Sequence, residues 1–258
     1  MFIRTLILTL AFATVAIAQD PKKPFTIRWY GQSFVQIETP GGKKIVFDPH
    51  AIPAFGRPMV AADILCITHE HDDHTQVEVL ESKGREFRGL KPQKGKSAEW
   101  AKIDEKVGAI SLRTVGTFHD AENGMARGKN SVFIVESDGL KFVHLGDLGH
   151  ELSDEQAKAI GPVDVLFLPI GGVYTINGEQ AKKVVAKLKP RLYVVPMHYA
   201  VPGYDDLVDA TEFLDKNPLE VKKFPLTNEL TIAPDEKAEA PTIAMLHWQK
   251  TIGVGPKK

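Results

Sequence analysis

Residues 69–74 read His-Glu-His-Asp-Asp-His, and the apolar run Ile64-Leu65-Cys66-Ile67 lies just upstream. A strand that ends in such a turn brings several metal-ligating side chains to one place. Metal donors must be held rigidly, so the fold has to present this turn from the end of a well-packed strand. Imidazole and carboxylate donors suit zinc, and also iron, manganese or nickel. Cys66 is the only cysteine, which excludes an intrachain disulfide and a thiolate-rich structural zinc site. Its apolar neighbours mark it as a small buried residue.

The pattern around the motif is that of an α/β chain. Residues 25–30, 34–38, 44–47 and 63–68 read as strands, separated by turn signals at Gly31-Gln32 and Pro40-Gly41-Gly42. A helix is expected at 75–80, then a polar surface excursion over 84–100 with a short helix near Ala98. Strands follow at 109–115, 131–136 and 141–145, the last two joined by a Ser137-Asp138-Gly139 hairpin turn. Helices are expected at 153–160, with Ser153 as N-cap, at 178–188 and at 205–214. Residues 163–168 and 192–195 are continuous apolar strands that end at Pro169 and Pro196. An acidic, alanine-rich loop spans 234–241. Two face-to-face sheets with helices outside would bury these strands.

The N-terminus reads as a secretory signal. Arg4 supplies the positive charge, 6–17 the apolar core, and Ala16-Ile17-Ala18 a cleavage site before Gln19. The expected organisation is a signal peptide at 1–18, one domain over 19–250 and a flexible tail at 251–258, with the mature protein periplasmic or secreted. A net charge of −1 offers no footprint for nucleic acid or an anionic membrane surface. The expected partner is a small-molecule substrate, with no stable membrane insertion after cleavage.

The ends of the later strands carry further donors. His119 follows 109–118, Asp147 follows 142–146, and His198 follows 192–197. Side chains at such positions converge on one rim of a sheet. His150, three residues after Asp147, has two readings: a substrate contact or proton donor in the cleft, or a structural hydrogen bond across Gly149. His144 reads as buried, His50 as a loop residue and His247 as packed on Trp248. Asp48 is expected to accept a hydrogen bond from a ligating histidine. Tyr174, after Gly171-Gly172, is expected to shape the substrate pocket.

In this order the residues resemble the metallo-β-lactamase fold superfamily of metal-dependent hydrolases, over nearly the whole chain after the signal. That resemblance implies an αββα sandwich of two mixed sheets. It implies that His69, His71 and His119 hold one divalent ion, that Asp73, His74 and His198 hold a second, and that Asp147 bridges them. Trp29-Tyr30-Gly31-Gln32-Ser33-Phe34, Phe47-Asp48-Pro49, Gly146-Asp147-Leu148-Gly149-His150, Pro169-Ile170-Gly171-Gly172-Val173-Tyr174-Thr175 and Pro196-Met197-His198-Tyr199 are similar to the branch that includes L-ascorbate-6-phosphate lactonase and N-acyl-phosphatidylethanolamine phospholipase D. That branch commonly carries Gly-His where this chain has Gly31-Gln32.

Paired ions, most simply zinc, lower the pKa of bound water to about 7 and clamp attacking and leaving oxygens. The expected enzyme is a hydrolase that uses a metal-bridging hydroxide on an ester, lactone or phosphodiester, with Asp73 orienting the nucleophile and shuttling its proton. The related diiron oxygen-reducing enzymes usually carry a glutamate where this chain has His71, which favours hydrolysis. The alternatives are a phospholipase D-like phosphodiesterase, and a metal-retaining binding protein on the same fold.

Overall fold

A computed structural model describes residues 23–249. The signal segment at 1–18 and the tail at 251–258 lie outside the described residues. β1 (Phe25–Trp29) buries Phe25, Ile27 and Trp29 and half-exposes Thr26 and Arg28, the period-two pattern of a strand with one face in the core. It pairs antiparallel with β2 (Val35–Glu38), and β2 with β3 (Lys44–Phe47). Parallel strands β4 (Val60–Ile67) and β5 (Leu80–Arg88) extend this sheet. A short ribbon of β6 (Leu90–Gln93) and β7 (Lys96–Trp100) stands apart.

The second sheet begins with an antiparallel meander of β8 (Asp104–Val107), β9 (Ile110–Phe118), β10 (Lys129–Ser137) and β11 (Leu140–His144). The turn between β10 and β11 is the expected hairpin, with Asp138 and Gly139 both at positive φ. After α1 (Asp154–Ile160) comes β12 (Val165–Pro169), and after α2 (Gly178–Leu188) comes β13 (Tyr193–Met197), each added in parallel. Past the single turn of α3 (Thr211–Leu214), β14 (Glu220–Phe224) and β16 (Thr242–Leu246) complete this sheet, while β15 (Glu229–Ile232) crosses to β1. The strand orders are β15-β1-β2-β3-β4-β5 and β14-β16-β13-β12-β11-β10-β9-β8.

One apolar core joins Ile27, Ile37, Phe47 and Cys66 of the first sheet to Phe133, Val135, Phe142 and Phe167 of the second. Every residue of β12 is buried, because one face meets the other sheet and the other face meets the helices. Ser153 and Asn177 each close a capping box, with Gln156 and Gln180, at the starts of α1 and α2.

Three expected helices give way to other structure. Residues 75–80 form a turn of 3-10 helix, Val77–Val79, and then enter β5. The region near Ala98 is strand β7, which is anchored by Trp100: its indole N–H reaches the carbonyls of Thr117 and Asn130. Strand β5 runs so close to β4 that a β-carbon on Gly84 would meet the Asp63 carbonyl oxygen at 1.9 Å. The helix expected over 205–214 shrinks to α3. Asp209 Oδ1 accepts the Thr211 N–H, and the Val208 N–H bonds to the Gly171 carbonyl, so the preceding backbone is committed elsewhere.

Candidate metal centre

Four strand ends deliver the donors. β4 stops at Ile67 and Thr68 leads into the 69–74 turn, where Asp72–His74 forms one 3-10 turn. β9 ends just before His119, β11 three residues before Asp147, and β13 just before His198. The first strand belongs to one sheet and the other three to its partner, so the donors meet on the rim where the sheets face each other. His69, His74, His119, Asp147 and His198 are all buried, whereas Asp73 is partly open and His71 open to solvent.

Asp147 Oδ2 is the hub. It stands 3.1 Å from His198 Nε2, 3.2 Å from His74 Nε2, 3.3 Å from His119 Nε2 and 4.0 Å from His69 Nε2. His71 joins through Nδ1, 3.1 Å from His69 Nε2. Three donor groups have all their ligating atoms within 4.8 Å of one another: His69-His71-His119, His69-His74-Asp147 and Asp73-His74-His198. The structure thus brings together all seven residues expected to bind metal.

The donor set fits divalent ions. Burial pushes His69 well below the ordinary histidine range, helped by the neighbouring His74, and burial with His119 lowers His71. Both are therefore neutral imidazoles, the form that ligates metal. Burial lowers His74 too, but the carboxylates of Asp147, Asp48 and Asp73 outweigh it and hold His74 well above its ordinary value. Burial raises Asp147, yet His198 and His74 outweigh that and keep it ionised. His74 Nε2 lies 3.7 Å from Asp73 Oδ2 as well as near Asp147, and is aligned for a hydrogen bond with neither. A buried nitrogen surrounded by carboxylates without a bond to them suits a cation between the groups.

A second layer fixes this set. Asp48, buried and at φ 45°, accepts the Thr68 N–H and hydroxyl, both at 2.7 Å. The Thr68 oxygen then takes the Nδ1–H of His69 at 3.0 Å, which leaves His69 Nε2 free for metal. Ser33 donates to Asp147 Oδ1 at 2.9 Å, and Asn130 Oδ1 accepts the Asp147 N–H at 3.1 Å. Gln32 donates to Asp73 Oδ2 and to the Tyr204 hydroxyl, each at 3.2 Å.

His150 lies outside this set, and of its two readings the structure supports the structural one. Nε2 accepts the Phe118 N–H at 3.1 Å and Nδ1 donates to the Glu151 carbonyl at 2.8 Å. Both ring nitrogens are spent on backbone, at the end of the strand that leads to His119, an arrangement that positions this strand end. His144 is buried, stacked on Phe47 with its Nε2 on the Ser33 carbonyl. His50 is buried behind Gly31, and His247 stacks on Trp248. Tyr174 does reach the site: it lines a cleft of about 290 Å³ with His71, Asp73, His119, Asp147 and His198.

Residues 26–198 match the beta-lactamase superfamily domain family. The chain belongs to the metallo-β-lactamase superfamily. Among its relatives is a UPF0173 metal-dependent hydrolase of Pyrococcus abyssi, 32% identical over 195 residues, with 67% of this chain and 84% of the relative covered. A second, from Pyrococcus horikoshii, is 31% identical over the same shares of the two chains. A solved structure from Thermotoga maritima, a candidate zinc-dependent hydrolase of the metallo-β-lactamase superfamily, is 30% identical, with a TM-score of 0.64 and 86% of this chain and all of that chain covered. This superfamily member is a metal-dependent hydrolase. Its mixed sheets carry the metallo-β-lactamase sandwich with few helices.

Sequence reasoning missed Gln32, Ser33, Thr68, Asn130, Arg127 and Tyr204. Thr68 and Ser33 sit beside residues that motifs did flag, and Gly31-Gln32 was visible as a departure from the branch. Asn130 and Arg127 carry no local signal, since Asn130 reaches the site from the start of β10 and Arg127 from the β9–β10 connection.

Proposed function

We propose that this protein is an exported, dinuclear metal-dependent hydrolase that acts on an ester, lactone or phosphodiester. The observation that carries the reading is Asp147 Oδ2 within 3.1 to 4.0 Å of four imidazole nitrogens. A single carboxylate oxygen so placed could serve two cations at once. His69, His71 and His119 would hold one ion; Asp73, His74 and His198 the other. Bound there, the ions supply a nucleophile from water at neutral pH and positive charge for the leaving oxygen. Asp73 faces both the cleft and His74, so it is placed to orient that water and would take its proton. Gln32 holds the Asp73 carboxylate in place.

The test is metal content and turnover in one set of proteins. His71→Ala and Asp147→Ala should lose both metal and hydrolysis of a panel of esters, lactones and phosphodiesters. Full activity in a metal-free His71→Ala protein would overturn the reading. A metal-replete wild type that turns over nothing would point to a binding protein instead.

A phospholipase D-like phosphodiesterase is favoured by one further observation. A groove of about 460 Å³, bordered by Ala51, Ile52, Met59 and Val79 together with the polar Arg57, Asp72, Gln76 and Glu78, adjoins the cleft at Asp73. A long-chain phosphodiester turned over faster than a short-chain one would support that narrower reading.

A further inference from the structure

The connection between β9 and β10 is a built loop. Asp120, the residue after His119, is buried and accepts four backbone N–H groups. Glu122 and Gly124 donate to Oδ1 at 2.9 and 2.7 Å, and Ala126 and Arg127 donate to Oδ2 at 3.0 and 2.7 Å. One carboxylate thus fixes the path from a metal-site histidine to Arg127. The result is a cationic side chain on the wall of the same cleft as His71, Asp73, His119, Asp147 and His198.

Arg127 has no carboxylate partner within 4.0 Å among the described residues; Arg28, Arg85, Arg88 and Arg191 pair with acids, and Arg57 and Arg113, also without an acid, spend their guanidinium groups on backbone carbonyls away from the cleft. Its guanidinium lies 5.1 Å from the Tyr174 ring centroid, and Nη2 reaches the Val173 carbonyl at 3.3 Å. Its remaining N–H groups donate to no protein atom among the described residues. Val173 supplies that carbonyl from φ 56°, a conformation costly for a β-branched residue. Two loops, from β9 and from β12, therefore hold one cation over the cleft and leave its hydrogen-bonding edge open.

We propose that Arg127, seated on Tyr174, is the substrate-anion anchor: the natural substrate carries a carboxylate or phosphate besides the bond that is cut. The inference rests on the hydrolase reading and adds a substrate class to it. Arginine suits the task because its planar fork matches an oxyanion and keeps its charge at any working pH. Asp120 positions the arginine and touches no substrate.

The test uses the metal-loaded protein with a matched ester pair: para-nitrophenyl hydrogen succinate, which is anionic, and para-nitrophenyl butyrate, which is neutral. Arg127→Gln should lower kcat/KM on the succinate by about 10- to 100-fold, as expected for losing a charge-assisted hydrogen bond, while the butyrate changes less than about twofold. Arg127→Lys should recover part of the loss. Binding of the two non-cleavable ether isosteres, acid and alcohol, gives a readout independent of turnover. The wild type should prefer the acid, and Arg127→Gln should lose that preference. Equal effects of Arg127→Gln on the charged and neutral members, or none on either, would overturn the anchor. Should the wild type bind the ether acid through Arg127 yet cleave neither ester, the anchor would stand and the proposed scope of hydrolysis would fall.

Discussion

Asp48 Oδ2 lies 3.1 Å from His74 Nδ1, and the same oxygen accepts the Thr68 hydroxyl that in turn faces His69 Nδ1. One buried carboxylate thus addresses a histidine of each proposed ion. The His74 contact falls short of hydrogen-bond alignment, so its part is electrostatic, whereas the Thr68 branch is a pair of aligned bonds.

Asp48→Asn keeps the size of the side chain and tolerates the left-handed backbone at this position. It removes the charge that orients both histidines. Metal affinity should fall by about 10- to 100-fold, measured by competition with a chromophoric chelator. Unchanged affinity in a folded variant would show that Asp48 does not support the ligands.

Gly149 passes the third histidine at close range. A β-carbon there would sit 2.2 Å from the His119 carbonyl carbon and 2.3 Å from the Asp120 nitrogen. Both are backbone atoms that cannot rotate away. Gly149→Ala should therefore displace His119, with lower metal occupancy and a lower melting temperature. Wild-type metal content and stability together would show that the two turns separate freely.

His50 sets a pH dependence. Its Nε2–H donates to the Gly31 carbonyl at 3.1 Å, its Nδ1 accepts from Ile52 at 3.2 Å, and burial pushes it down to about 4. Below the ordinary histidine value of about 6.5 the unfolded chain binds a proton that the folded chain refuses. Its contribution is complete above that value and is lost as pH falls through the window toward about 4, by roughly 3 kcal/mol for this group. Denaturant unfolding of chelator-treated protein on either side of the window checks this. His50→Gln should lessen the dependence, the remainder coming from His69, His71 and His144, which burial lowers in the same direction; identical slopes in the two proteins would count against the assignment.

Export is tested at the N-terminus. Intact-mass analysis of protein recovered from a host that secretes it should give a chain beginning near Gln19. A product that retains residues 1–18 would contradict cleavage.

The sequence made the candidate metal ligands legible because they follow strands whose apolar runs are themselves readable. His69 follows Ile64-Leu65-Cys66-Ile67, and His198 follows a β13 buried over Val194–Met197. Helix α2 has the bounds expected for it, and the capping box of Asn177 and Gln180 fixes its start. Residues 75–80 were misread as a helix although Thr75, Val77 and Val79 alternate as in a strand, and β5 is an exposed edge strand of Lys83, Arg85 and Glu86 with no apolar face to mark it. Pairing with β4, a tertiary fact, decides that segment. Arg127 and Asn130 were invisible for the same reason: distant backbone puts them beside the candidate ligands, and no local pattern does.

The most direct test of the two-ion centre is the zinc-to-protein ratio at saturation when chelator-stripped protein is titrated, with hydrolysis followed in parallel. Two equivalents should bind, activity should return with them, and Asp147→Ala should fail to reach that ratio. A folded wild type that saturates at one equivalent, or recovers full activity with none, would contradict the account.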